Sequence, residues 1–344
     1  DLFDSLKGAV KDYTQRGGFE NFDKEDVQGM IDSRLKKGRE HLNEVLEIVR
    51  ALCEPVEPPQ GTKEYIRFFC GEDTSDGAQL KENEPKRLKF YKTVSSLVRA
   101  YTDLANEMEE AGYTAADAQA IKLEVRHFES AKEEVKIASG DGVDLKQYEP
   151  AMRQLIDRYV RAEPSEVVSA LDDMTLVQLV VERGEEAVET LPEGIRKDQE
   201  AVAETIENNV RRLIIDETPI NPKYYEKMSR LLDELIEERR RKAIEYQDYL
   251  ARIVELTRQA KSGTGSSYPQ TINTRGKRAL YDNLGQDEDL VLRVDKAIKS
   301  SKQDNWLGNH FKILKVEHAV EAEVHDEAKA KEILELVREQ EEYA

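Results

Sequence analysis

The chain has 344 residues, 36% charged and 39% apolar, with a formal net charge of −19. That length suffices for a sizeable core in one large or two ordinary domains, and the acidic balance excludes a protein that coats DNA along its whole surface, because phosphate binding needs clustered positive charge. The two cysteines, Cys53 and Cys70, have no C-x-x-C spacing or zinc pattern and read as free thiols.

In chain order, residues 1 to 22 are short on periodicity and end at Gly17-Gly18. Asp23 with Asp26 opens a helix with Leu35, Leu42, Val45, Leu46 and Val49 at helical spacing, ending before Pro55. Thr62 is read as the cap of a short helix through Phe68 and Phe69, stopped by Gly71, and Glu72 to Glu84 reads as an exposed loop. Pro85 begins a helix predicted to run to Gly112, and Thr114 with Asp117 forms a capping box for the next, to about Ser139. Gly140-Asp141-Gly142 is a turn, with Asp144 as the cap that follows. Pro150, Thr175 with Gln178, and Asn309 are start signals for helices near 150 to 161, 176 to 190 and 310 to 324. Alternation of period two is absent, so the predicted fold class is all-α.

The longest signal lies between Glu200 and Lys261. After the turn at Pro219-Ile220-Asn221-Pro222, Asn221 caps and Pro222 fits the first helical position, where a missing N–H costs nothing. Apolar residues then recur at Tyr225, Met228, Leu232, Leu235, Tyr246, Leu250 and Ile253, with no Gly or Pro until Gly263. This predicts one unbroken helix roughly 60 Å long, a spine for an elongated multi-helix bundle, its seam interrupted at Arg239-Arg240-Arg241. Gly263 to Ser267 reads as a flexible break, and the last helix, Glu327 to Glu341, has a narrow stripe of Ile333, Leu334 and Val337 that predicts weak docking. The expected domains are lead-in helices over 1–71, a main bundle over 72–262 and small C-terminal helices over 263–344.

Catalytic patterns fail on inspection. Gly263 to Ser267 and Gly276-Lys277-Arg278 lack the spacing of a phosphate-binding loop. Glu134-Val135-Lys136 and Glu327-Ala328-Lys329 match the letters of a nuclease motif but sit in helical stretches. The histidines His41, His127, His310, His318 and His325 fall on different elements, and Gly140 to Asp144 is too short for a calcium loop. No catalytic, cofactor or metal residue is therefore assigned. No apolar run approaches the roughly 20 residues a bilayer span needs, and the expected location is cytoplasmic.

The basic residues stand out more. Arg211, Arg212, Arg239, Arg240 and Arg241 lie on the two central helices, with Lys223 and Tyr224 at the turn between them. One reading is a solvated face paired with Glu234, Glu237, Glu238 and Glu245. The other is a docking surface for nucleic acid or a protein. With Trp306 these residues form the candidate partner-binding set.

Five ordered strings carry a family resemblance: Arg50-Ala51-Leu52-Cys53-Glu54-Pro55; Glu64-Tyr65-Ile66-Arg67-Phe68-Phe69; Ala203-Glu204-Thr205-Ile206-Glu207-Asn208-Asn209; Asn221-Pro222-Lys223-Tyr224-Tyr225-Glu226-Lys227-Met228; and Leu280-Tyr281-Asp282-Asn283-Leu284. From about Arg50 to Trp306 the chain resembles the C-terminal helical domain of the restriction (R) subunit of type I restriction-modification enzymes. The resemblance implies an upstream nuclease and an ATP- and Mg²⁺-dependent DNA motor. It also implies that this region assembles with the methyltransferase (M) and specificity (S) subunits and carries no catalytic residue itself. The start at Asp1 fits a piece of such a protein. A DNA-guiding module contacting duplex phosphate is the alternative. The family's tryptophan tends to be followed by arginine and a more basic helix, whereas Trp306 is followed by Leu307, with only Lys312 and Lys315 in His310 to Val316.

Overall fold

The computed structural model describes residues 24–141, 155–160, 174–263 and 268–343, and no strand occurs among them. In chain order the helices are α1 (Lys24–Cys53), α2 (Thr62–Cys70), α3 (Gly77–Glu82), α4 (Glu84–Thr102), α5 (Ala115–Ser139), α6 (Leu176–Arg183), α7 (Glu193–Arg196) and α8 (Gln199–Glu217). They continue as α9 (Pro222–Arg240), α10 (Tyr246–Ser262), α11 (Arg275–Asn283), α12 (Glu288–Ser301), α13 (His310–Val324) and α14 (Glu327–Arg338). The expected segment 1–22, the Asp144 cap, Pro150 and 264–267 lie outside the described residues. From the helix expected near 150 to 161, Ile156–Val160 is described and forms a single π-helical turn.

The chain divides into two compact units, which do not follow chain order. The first takes its described residues from Asp1–Pro55, Leu88–Lys132 and Tyr148–Ser165, the second from Val56–Arg87, Glu133–Gln147 and Glu166–Ala344. In the first, Leu42, Leu46, Val49, Val94, Leu97, Val98 and Val125 form the buried seams, as the helical spacing requires. Arg34 clasps Glu107 and Arg50 clasps Glu124 at 2.6 Å on its surface. α4 stops at Thr102, short of the expected Gly112, because Thr102 Oγ1 donates back to the Arg99 carbonyl and Leu104 N–H to that of Tyr101, tightening the last turn.

In the second unit the expected spine is broken. α9 ends at Arg240 and α10 begins at Tyr246. Lys242 adopts the left-handed conformation, φ 54°, while its N–H reaches the Arg239 carbonyl and that of Ala243 reaches Glu238. Those two bonds make a Schellman stop with lysine in the place usually held by glycine. The chain then folds back antiparallel, so that the Tyr224 hydroxyl at the start of α9 donates to the Gln259 carbonyl near the end of α10 at 2.8 Å, and that of Tyr225 to Ala260 at 3.0 Å. Folding back buries Leu232, Leu235 and Ile236 of α9 together with Tyr249, Ile253 and Val254 of α10. At about 25 cal/mol per Å² of apolar surface, that burial outweighs the roughly 1–2 kcal/mol cost of one left-handed lysine. Among the described residues the expected single helix from Pro222 to Lys261 is two, α9 and α10.

Three further expectations change. The stretch from Glu72 to Glu84 contains α3, with Asp76 capping it through the Ala78 N–H, and it buries Thr74 and Leu80. The last helix docks firmly: Ala330, Ile333, Leu334, Leu336 and Val337 of α14, followed by Tyr343, join Leu280, Val291, Val294, Ile298, Trp306, Val316 and Val320 in one apolar cluster. The stripe looked narrow because the cluster also draws on Ala330 and on Tyr343 beyond the helix. The segment expected as one helix from 176 to 190 is α6 followed by a 3-10 stretch, Gly184–Thr190.

Candidate functional site

α8 is unusual in being buried on every side from Ala201 to Arg211. Asp198 starts it by accepting from the Glu200 and Ala201 N–H groups. Alanines and valines cover part of its circumference, but Glu204, Thr205, Glu207, Asn208, Asn209 and Arg211 are buried as well. Buried polar groups of this kind need partners, since each one left unpaired costs several kcal/mol.

Most of the partners come from distant segments. Arg67 of α2 forks onto Glu204 Oε1 at 2.7 and 3.0 Å, and its ion pair continues to Glu200 at 3.0 Å. Glu207 is fully buried and accepts from Arg239 Nε at 2.7 Å, the Tyr249 hydroxyl at 2.9 Å and Thr74 Oγ1 at 2.6 Å. Asn209 Nδ2 donates to the Ile137 and Thr205 carbonyls, each at 2.8 Å. Burial opposes the charge on Arg239, but the adjacent Glu207 outweighs it and holds the guanidinium above its ordinary value. Burial, then the Glu207 charge, pushes the Tyr249 hydroxyl well up. Burial also raises the Glu204 carboxyl, against the pull of Arg67.

Arg211 closes the network toward the surface. Its Nη1 donates to Ser229 Oγ at 2.8 Å and its Nη2 to the Thr74 carbonyl at 3.2 Å, and it pairs with Asp233. Gly77 lets this side chain pass: a Cβ there would stand 3.0 Å from Arg211 Cδ. A shallow cleft of about 230 Å³ opens beside it, lined by Ile214, Ile215, Pro222, Tyr225, Glu226 and Asp233 among others. Glu204 Oε2, Thr205 Oγ1, Asn208 Nδ2 and Arg211 Nε have no hydrogen-bond partner within the described protein. What the arrangement does chemically is lock α2, α8, α9, α10 and the segment 73–75 together through compensated charge. Among the described residues no group of three or more His, Cys, Asp or Glu side chains is placed to hold a metal ion.

The candidate partner-binding residues divide accordingly. Arg211 and Arg240 converge on the 73–75 segment, while Arg239 is bound to Glu207: Arg240 pairs with Asp73 at 2.5 Å and donates to Thr74 Oγ1, the hydroxyl that bonds Glu207. Tyr224 is buried against α10, and Trp306 is buried far along the chain with its Nε1 donating to the Tyr343 carbonyl at 2.7 Å. Arg212 is half-buried between Asp141 and Asp216. Lys223 and Arg241 are exposed, paired with Glu226 and Glu237 within their own helix. Neither sequence reading anticipates Arg67, Thr74, Glu207 and Tyr249 as members of the network. The signal was the position of Arg239, one turn beyond the inward-facing Leu235 and Ile236, where a buried cation demands a carboxylate.

A second set of polar contacts ties α9 to the C-terminal helices. Asn221 Nδ2 donates to Asp282 Oδ2 at 2.7 Å, Asn283 Nδ2 donates back to Asn221 Oδ1 at 3.0 Å, and the Tyr268 hydroxyl reaches Asp282 at 2.6 Å. Arg275 pairs with Glu217, and Gln340 Nε2 donates to the Ile220 carbonyl at 2.6 Å. Set against known proteins, the chain matches no family model, no curated protein and no solved structure.

Proposed function

We propose that this chain is a non-catalytic helical assembly and coupling domain of a type I restriction enzyme R subunit, docking a motor onto the M and S methyltransferase core. The parent would be an ATP-dependent DNA translocase and site-specific endonuclease of the cytoplasm, with ATP and Mg²⁺ bound by its other domains. One observation carries the reading: strings that resemble the family meet one another in space. Arg67, from the second string, forks onto Glu204 of the third, and Asn221, from the fourth, is clasped by Asp282 and Asn283 of the fifth. Segments 137 residues apart that bond side chain to side chain behave as one structural set, which supports reading them as one domain signature.

The test is retention of the purified chain by immobilised M and S subunits. Stoichiometric retention that survives moderate salt is the expected result, and failure to be retained overturns the reading. Retention by duplex DNA instead, falling steeply with salt, would favour the DNA-guiding alternative. That alternative has less to work with here, because Arg211 and Arg239 are buried against internal carboxylates.

A further inference from the structure

Three polar atoms on the inner part of α8 are enclosed without a protein partner: Glu204 Oε2, Thr205 Oγ1 and Asn208 Nδ2. None of the three residues is more than 3% exposed. The helix gathers them, because side chains three and four positions apart lie on one face with Cβ atoms about 5–6 Å apart. Asn208 is four residues beyond Glu204 and three beyond Thr205, so it stands next to both. The neighbouring polar groups are taken. Arg67 holds Glu204 Oε1, Arg239, Tyr249 and Thr74 hold Glu207, and Asn209 bonds the Ile137 and Thr205 carbonyls. Three enclosed atoms left over on one face would each carry the full desolvation penalty of their group, which a small guest between them removes.

Their bonding needs select the guest. An ionised Glu204 Oε2 only accepts, Asn208 Nδ2 only donates, and the Thr205 hydroxyl does either. The guest must therefore donate and accept at once. Water does both, and an internal water typically makes about three hydrogen bonds to groups that lack other partners. A monovalent cation accepts nothing from Asn208 Nδ2, and the Glu204 carboxylate is already paired with the Arg67 guanidinium through Oε1. A divalent metal has too few ligands, since no group of three or more His, Cys, Asp or Glu side chains converges among the described residues.

We infer that Glu204, Thr205 and Asn208 together bind one internal water, which donates to Glu204 Oε2, accepts from Asn208 Nδ2 and bonds the Thr205 hydroxyl. The water is then a constituent of the folded unit. It completes the bonding of a helix buried from Ala201 to Arg211, and it ties Glu204 to its own helix as Arg67 ties it to α2. This inference stands apart from the assembly reading, since it rests on α8 alone.

The test is a crystal structure of the full chain, with crystals soaked in rubidium chloride. Rubidium takes the place of sodium or potassium in a cation site and is seen by its anomalous scattering. The expected result is an oxygen about 2.7–3.2 Å from all three side chains, with no rubidium signal there. In Asn208→Leu, which keeps the bulk of the amide and donates nothing, that oxygen should be lost. Should this variant fail to fold, water contacts in the native chain decide instead. The Asn208 side-chain amide protons should show a nuclear Overhauser effect to a long-lived water, and it should persist in Thr205→Val, where no Thr205 hydroxyl proton can relay it. A rubidium peak, an empty site, direct bonds among the three side chains, or an effect that vanishes in Thr205→Val would each overturn the inference.

Discussion

Glu204 and Glu207 lie one turn apart on the same buried helix, yet their surroundings differ. Glu207 has both oxygens engaged by Arg239 and shares them with Thr74 and Tyr249, whereas Glu204 is held through Oε1 alone and its Oε2 has no partner within the described protein. Burial accordingly raises the Glu204 carboxyl above its ordinary range, and Arg67 offsets only part of the effect. The folded chain then holds this proton more tightly than the unfolded chain, whose glutamates titrate near about 4.3. For a raised carboxyl, the stability the group contributes is present below that value and is lost as pH rises through the folded one. Urea unfolding of the native chain and of Glu204→Gln, followed from about pH 4 to about pH 7.5, should show wild-type stability falling relative to the variant as pH rises, then levelling. The slope cannot exceed about 1.4 kcal/mol per pH unit, the limit for one proton. Wild-type stability that rises relative to the variant with pH would mean instead that the Arg67 ion pair dominates.

The corner between α9 and α10 decides how the bundle is built. Its stop uses Lys242 at a left-handed position, a conformation that costs an ordinary residue about 1–2 kcal/mol and glycine much less. After allowing for the greater freedom of glycine in the unfolded chain, Lys242→Gly should stabilise by about 0.5–1 kcal/mol, while β-branched Lys242→Val should destabilise by about 1–2 kcal/mol, both read from denaturant midpoints. Destabilisation by the glycine would show that the corner is not built this way. The same corner marks where the sequence ceases to be legible. Helix starts are written locally, so Asn221, Thr175 with Gln178, Thr114 with Asp117 and Asn309 cap where their side chains predict. The α9 stop carries no glycine or proline, and its only trace is a seam that turns polar from Arg239 to Lys242, which reads equally well as a solvated interruption. The partners of α8 are less legible still. Arg67 and Glu204 are 137 residues apart, and no local pattern states that they meet.

At the scale of the whole second unit, the C-terminal helices enclose an apolar cluster of their own, and much of what ties them to α8 and α9 is polar: Asn221 with Asp282 and Asn283, Arg275 with Glu217, Gln340 with the Ile220 carbonyl. Net gains of about 1 kcal/mol per such hydrogen bond are small beside the burial of a cluster, so the cluster should open as a separable part when its own core is damaged. Tyr343 is the place to damage it. Its ring is fully buried, its hydroxyl donates to Asp295 at 2.7 Å, and its carbonyl receives the Trp306 indole N–H. Tyr343→Ala should cost about 3–5 kcal/mol locally, the range for truncating a buried aromatic. Two probes separate local from global opening. Trp306, the chain's one tryptophan, reports on the cluster, and Cys70 reports on α2, where burial pushes the thiol up to about 12 and leaves it unreactive until that helix opens. In the variant, Trp306 should become quenchable by acrylamide at urea concentrations where Cys70 still resists alkylation. Simultaneous exposure of both would mean that the polar ties make the second unit a single cooperative body, and that the C-terminal helices cannot move independently of the helix carrying Glu207.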